Sequence, residues 1–142
     1  MTRWLSGLAM AMLLGACAPP ETRLTVETEV NPGDRIAVRG QTDLPDGAQL
    51  NVSLLGATAE TPIDMALPVV RDASYAATLD PQADLPAGSY RVRVEFSPQS
   101  FAWSEHVKPA VGEKGEKLGG PHVKTTEDGF RVLLIDREVM LP

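Results

Sequence analysis

Residues able to do chemistry are few in this chain: one cysteine, Cys17, and two histidines, His106 and His122. A serine or cysteine nucleophile needs a positioned base, and only His106 and His122 could serve as one. No Gly-x-Ser-x-Gly elbow is present. A catalytic triad is therefore not expected, and the chain reads as non-enzymatic. Beyond residue 17, His106, His122, Met65 and Met140 are the soft or borderline metal ligands, a set of the kind that holds copper. Their separations contain no His-x-His, Cys-x-x-Cys or methionine cluster, so a metal site on them stands only as the alternative reading. Asp43, Asp46, Asp80 and Asp84 would offer calcium oxygens if their loops converged. Without the spacing of an EF-hand loop they read as solvated turn formers. No cofactor is expected.

The segment that must present any binding chemistry is Val111-Gly112-Glu113-Lys114-Gly115-Glu116-Lys117-Leu118-Gly119-Gly120-Pro121. Its doubled Gly-Glu-Lys lacks apolar periodicity, which predicts an exposed glycine-rich loop over 108–120. A Walker loop would need Gly-Lys-Ser/Thr before a helix, whereas Gly115 is followed by Glu116. Phosphate binding is not expected. A long loop on a rigid scaffold is instead a surface that orders on a partner, with Glu113, Lys114, Gly115, Glu116 and Lys117 as its candidate residues.

At the other end, Arg3 precedes an apolar run from Leu5 to Leu14. Ten residues are too few to span about 30 Å of hydrocarbon as a helix, which takes about 20. The run reads as the core of an export signal. It leads into Leu14-Gly15-Ala16-Cys17, which resembles the lipobox of bacterial lipoproteins. The resemblance implies that residues 1–16 are a signal peptide, that Cys17 is lipidated, and that 17–23 is a lipidated tether. A lone thiol in an exported chain has no disulfide partner, and lipidation gives it a use. Two or three acyl chains, as the resemblance implies, suffice for stable anchoring. Ala18, rather than Asp, after the cysteine implies the outer membrane, with the domain facing the periplasm.

The whole chain carries a formal charge of −6, which becomes −7 once Arg3 is removed with the signal. Such an acidic surface argues against nucleic acid and against electrostatic attachment to anionic lipid. The expected partners are the membrane, through the N-terminal lipid, and an envelope protein or glycan.

The elements that position these residues read as short strands. Tyr90, Val92, Val94 and Phe96 alternate with Arg91, Arg93 and Glu95, a period of two with one buried face. Asp84-Leu85-Pro86-Ala87-Gly88 supplies the turn before them. A leucine, a Pro/Gly turn and a tyrosine opening a strand resemble the tyrosine corner of immunoglobulin-like and fibronectin-like sandwiches. Further alternation predicts strands over Leu24 to Val30, Ile36 to Val38, Leu50 to Leu54 and Tyr75 to Leu79. It also predicts one from Phe101 to Val107, with Trp103 inward. Asn31-Pro32-Gly33-Asp34 predicts the first hairpin, and Pro68 makes Ile63 to Arg71 an edge strand or bulge. Arg91 and Arg93 are expected to pair with Glu27 or Glu29.

Taken together, 24–142 is expected to form an all-β, immunoglobulin-like antiparallel sandwich. Core strands occupy 24–107, and a C-terminal strand or hairpin occupies 121–142. Expected core residues include Leu24, Val26, Ile36, Val38, Leu50, Val52, Leu54, Tyr75, Leu79, Phe130, Val132 and Leu134.

Overall fold

The computed structural model describes residues 18–82, 84–99 and 105–142. In chain order the elements are β1 (Glu27–Asn31), β2 (Arg35–Gln41), β3 (Asn51–Gly56), β4 (Asp64–Ala66), β5 (Ser74–Leu79), β6 (Gly88–Phe96), the short helix α1 (Val107–Val111), β7 (Val123–Thr125) and β8 (Arg131–Leu141). Two antiparallel sheets pack face to face: β1-β2-β5, and β4-β3-β6-β8-β7. In a constant-type immunoglobulin domain the first, second, fifth and fourth strands face the third, sixth and seventh. The same arrangement holds here, with the fourth strand moved across to the third and β8 in the seventh strand's place. The protein is an antiparallel β-sandwich.

The alternation along β6 is the reason the sheets meet where they do. Tyr90, Val92, Val94 and Phe96 are buried, while Arg91, Arg93 and Glu95 lie on the outer face. β3 and β8 flank β6, with Val92 opposite Leu54 and Val94 opposite Ile135. Ile36, Val38 and Leu79 meet them from the smaller sheet, in one continuous cluster. Each such aliphatic side chain is worth about 1.5–3 kcal/mol when fully removed from water. The tyrosine corner is present: the Tyr90 hydroxyl donates to the Pro86 carbonyl at 2.7 Å.

The first hairpin turns at Pro32 to Asp34, where Gly33 (φ 81°) and Asp34 (φ 59°) take the left-handed backbone that the tight reversal needs. Upstream, the ladder begins at Glu27 rather than Leu24. Leu24 makes an isolated bridge to Thr42, and its side chain and that of Val26 still reach the core.

The expected strand from Phe101 to Val107 lies outside the described residues except for its last part, where the structure differs. Val107 opens α1, and Val107 and Val111, four residues apart and on one helix face, are both buried. β6 is flanked by β8, which pairs with the whole of β6 from Gly88 opposite Leu141 to Phe96 opposite Leu133. The C-terminal hairpin thus forms as β7-β8, but its second strand occupies the interior of the sheet.

The face of β8 also differs from expectation. Leu133, Ile135, Val139 and Leu141 enter the core cluster, whereas Phe130 and Leu134 are half-buried outside it and Val132 is buried outside the cluster. Phe130 to Ile135 is apolar in both phases, apart from Arg131, so only the register with β6 decides which phase faces inward.

Candidate functional site

The glycine-rich segment is not the open loop that its composition predicts. Val111, Gly115, Leu118 and Gly119 are buried, and Glu113, Lys114, Glu116 and Lys117 are exposed around them. Its turns are closed by backbone hydrogen bonds, Gly115 N to Gly112 O at 3.1 Å, Lys117 N to Val111 O at 3.0 Å and Leu118 N to Gly115 O at 3.0 Å. Gly112 caps α1 with φ 86°, its amide donating to the Lys108 carbonyl. The segment is also fastened to β8, since the Arg131 amide donates to the Lys114 carbonyl at 2.8 Å. The physical reason is Leu118. One large apolar side chain turned inward is enough to draw the surrounding glycines against the body of the protein.

What those glycines grip is the expected tether. The Thr22 amide donates to the Gly119 carbonyl at 2.9 Å, and the Gly119 amide donates to the Thr22 hydroxyl at 3.1 Å. A Cβ on Gly119 would lie 2.6 Å from the Pro19 carbonyl oxygen and 2.4 Å from that of Pro20, so only glycine admits this approach. The next residue is held as firmly. The Arg23 amide donates to the Asp43 carboxylate at 2.9 Å, and the Arg23 carbonyl accepts from the Asp43 amide and the Thr42 hydroxyl. The chain therefore lies against the fold from Pro19 onward, within the segment read as a lipidated tether over 17–23. A groove of about 320 Å³ runs beside the clasp, lined by Pro20, Thr22, Leu44, Val111, Lys117 and Leu118 among others.

The metal alternative finds its four residues spread over the molecule. His106 sits before α1, its Nε2 2.6 Å from the Asp46 carbonyl oxygen, while His122 precedes β7 and accepts the Leu134 amide on its backbone carbonyl. Met65 is on the edge strand β4, and Met140 is on β8, with β3 and β6 between them. At about 4.8 Å per strand, the two sulfur-bearing strands lie about 14 Å apart. Among the described residues no group of three His, Cys, Asp or Glu side chains is arranged to hold a metal.

The loop aspartates separate likewise. Asp43 and Asp46 cap the end of the sandwich where β2 leads to β3, with Asp46 accepting the Asp72 amide at 2.9 Å. Asp80, paired with Arg35 at 3.3 Å, follows β5 at the opposite end.

The densest polar cluster is on the outer face of the larger sheet. Arg91 and Arg93 do not reach Glu27 or Glu29, because β1 belongs to the other sheet and Glu27 pairs with Arg39 at 3.3 Å. They hold Asp136 and Glu60. Arg93 Nε lies 2.8 Å from Asp136 Oδ1 and its Nη1 2.9 Å from Glu60 Oε2. Arg91 reaches the same two carboxylates at 3.2 and 3.3 Å. Asp136 faces Arg93 directly in the β6-β8 register. The hydrogen bond from Arg93 holds the Asp136 carboxyl below its ordinary range, with the charges of both arginines adding to it. Arg93 lowers Glu60 in the same way. Arg91 also donates to the carbonyls of Gly56 and Ala59, so the four side chains strap the β3-β4 connection onto the sheet. With every charge matched, this cluster is structural in its chemistry.

A shallow depression of about 580 Å³ lies at the end of the smaller sheet, lined by Arg23, Glu27, Arg39, Gln41 and Tyr75 among others. The Tyr75 hydroxyl is committed to the Thr25 carbonyl at 2.7 Å, and burial raises its phenol well above the ordinary value. Gly40 opposite it has no room for a side chain, since a Cβ would meet the Thr25 carbonyl oxygen at 1.9 Å. Neither a nucleophile with a base nor a pair of poised carboxylates lines this surface among the described residues.

No family model matches the chain, and neither the curated proteins nor the solved structures contain a match.

Proposed function

We propose that this protein is a lipid-anchored component of the bacterial cell envelope, joined to the membrane through Cys17 and carrying a non-enzymatic β-sandwich as a binding or structural module. The observation that carries the reading is the sequence Leu14-Gly15-Ala16-Cys17 after a short apolar run, and the clasp between Thr22 and Gly119 adds that the segment following Cys17 lies against the fold from Pro19 on. The arrangement of charge on the sandwich supports it, since the strongest ionic cluster is satisfied internally and is not poised for a reaction. The partner in this reading is an envelope protein or a glycan, met by the exposed Glu113, Lys114, Glu116 and Lys117 beside the clasp. Outer-membrane placement facing the periplasm is what the resemblance to bacterial lipoproteins implies for Ala18.

Anchoring is tested by Cys17→Ser with detergent phase separation and intact mass. The parent is expected in the detergent phase with the mass of an acylated chain starting at Cys17. The variant is expected to be unacylated and to keep its leader. A parent without added acyl mass would overturn the reading. Charge reversal at Lys114 and Lys117 tests the display surface: a crosslinked partner that is retained at the parent level would remove this segment from the interface.

A further inference from the structure

The two lateral sides of the sandwich are charged differently. On one side the free strand edges belong to β1, to β7 and to β8 beyond its pairing with β7; there β1 and β8 carry Glu27 and Asp136, which are paired with arginines, and the exposed acids Glu29 and Glu138, while Lys124 and Arg137 are the exposed cations of β7 and β8. On the other side β4 lies against β5, and the exposed side chains of β5, Ser74, Ala76 and Thr78, are small and uncharged. β4 continues beyond its formal end. The register that sets Ala66 opposite Val52 runs on through Val69 opposite Gln49, and the Leu50 amide donates to the Pro68 carbonyl at 2.9 Å. An edge strand therefore runs from Ile63 to Val70.

Along it, Ile63 (41% exposed), Met65 (51%), Leu67 (53%) and Val69 (39%) form an alternating apolar row. Asp64, the one charged residue of the run, accepts the Asp80 amide with its carboxylate at 2.8 Å.

Proline ordinarily protects such an edge by removing a donor. Here it does not. Pro68 and Val70 turn their carbonyls toward β3, accepting from Leu50 and Gly47, so in an antiparallel ladder the alternate residues Met65, Leu67 and Val69 turn theirs outward. The donor that Pro68 lacks would have pointed inward. The outward N–H and C=O groups of Met65, Leu67 and Val69 have no hydrogen bond among the described residues.

We propose that this edge pairs with the same edge of a second copy of the chain, antiparallel about a two-fold axis through Leu67. That register is self-complementary: Leu67 meets Leu67, Met65 meets Val69, and Ile63 meets Arg71, so no like charges stand opposite one another. Charge also favours this edge over that of β8. The chain is acidic overall, and pairing two copies through the β8 edge about Glu138 would set carboxylate against carboxylate. The axis stands perpendicular to the sheets, so two five-stranded sheets merge into one. The pairing is independent of how the chain is anchored.

The test uses the full chain carrying Cys17→Ser, so that an introduced thiol is the only one. Partners in a hydrogen-bonded antiparallel pair have Cα atoms about 5.5 Å apart, within disulfide reach. Leu67→Cys is expected to give a disulfide-linked dimer under mild oxidation. Met65→Cys and Val69→Cys are each expected not to, because four residues of strand, about 13 Å, separate identical positions. The Met65→Cys/Val69→Cys double variant is expected to crosslink. In sedimentation at tens of micromolar the uncrosslinked protein should run as two copies and Leu67→Lys as one. A single-copy mass without the lysine, a dimer that survives it, equal crosslinking at all three positions, or crosslinking through Glu138→Cys would each overturn the proposal.

Discussion

Thr22 and Gly119 hold each other twice, amide to carbonyl at 2.9 Å and amide to hydroxyl at 3.1 Å, across 97 positions of the chain. Gly119→Ala forces a Cβ onto the carbonyls of Pro19 and Pro20, and the expected result is release of the segment from Ala18 to Thr22 while the sandwich stays folded. Limited proteolysis should gain a cut there. With two hydrogen bonds lost at about 1 kcal/mol each, the melting temperature should fall by several degrees.

Gly115 gives a sharper contrast between a loop residue and a core residue. Its φ of +77° and the 2.3 Å that a Cβ would leave to the Arg131 carbonyl oxygen make Gly115→Ala strained in both backbone and space. The expected cost is about 2–3 kcal/mol, read from the urea midpoint.

Tyr90→Phe removes one hydrogen bond and nothing else from the corner. Pro86 is exposed and its carbonyl can turn to water, so the loss should be near 1 kcal/mol with an unchanged denaturant slope. A larger loss with an altered slope would show that the corner organises more of the fold than its own turn.

Asp136 sets the acid side of the stability profile. Its carboxyl is held below the ordinary value of 3.8 by Arg93 and Arg91, so the folded state binds this proton less readily than the unfolded chain. The contribution is complete above that ordinary value and is lost as pH falls through the lowered one. Unfolding free energy measured from pH 6 downward should therefore begin to drop near pH 4, and Asp136→Asn should flatten part of that slope. Because the pair is partly exposed, the difference at neutral pH should be on the order of 1 kcal/mol.

The sandwich was legible because a strand buried on one face writes its orientation into alternate residues. Tyr90 to Phe96 shows the pattern plainly, and the Pro/Gly turn before Tyr90 already resembles a tyrosine corner. Legibility failed where both faces are apolar, as in Phe130 to Ile135, since pairing with β6 and not pattern chooses the inward set. It failed also where glycines serve close contact, whether or not a positive φ is needed as well. Gly115 and Gly119 are small so that other backbones can approach them, and nothing local distinguishes that use from flexibility. Asp136 as the partner of Arg93 lies 43 residues away in sequence, and only the strand order brings it there. For the candidate site, Leu118 was the available signal that the Gly-Glu-Lys segment packs inward.

The pairing of β6 with β8 has a consequence for how the protein comes into being. β6 is complete at Phe96, yet its second neighbour begins at Arg131, so the middle of the larger sheet stays open until the last strand has been made. Until then β6 presents a nine-residue unpaired edge beside an unfinished core, the kind of surface that aggregates or recruits a chaperone. Closure must wait for a contact that is distant in sequence, which slows folding relative to a meander of neighbours. The protein therefore has reason to be held unfolded until synthesis has delivered β8, and to fold in one late step.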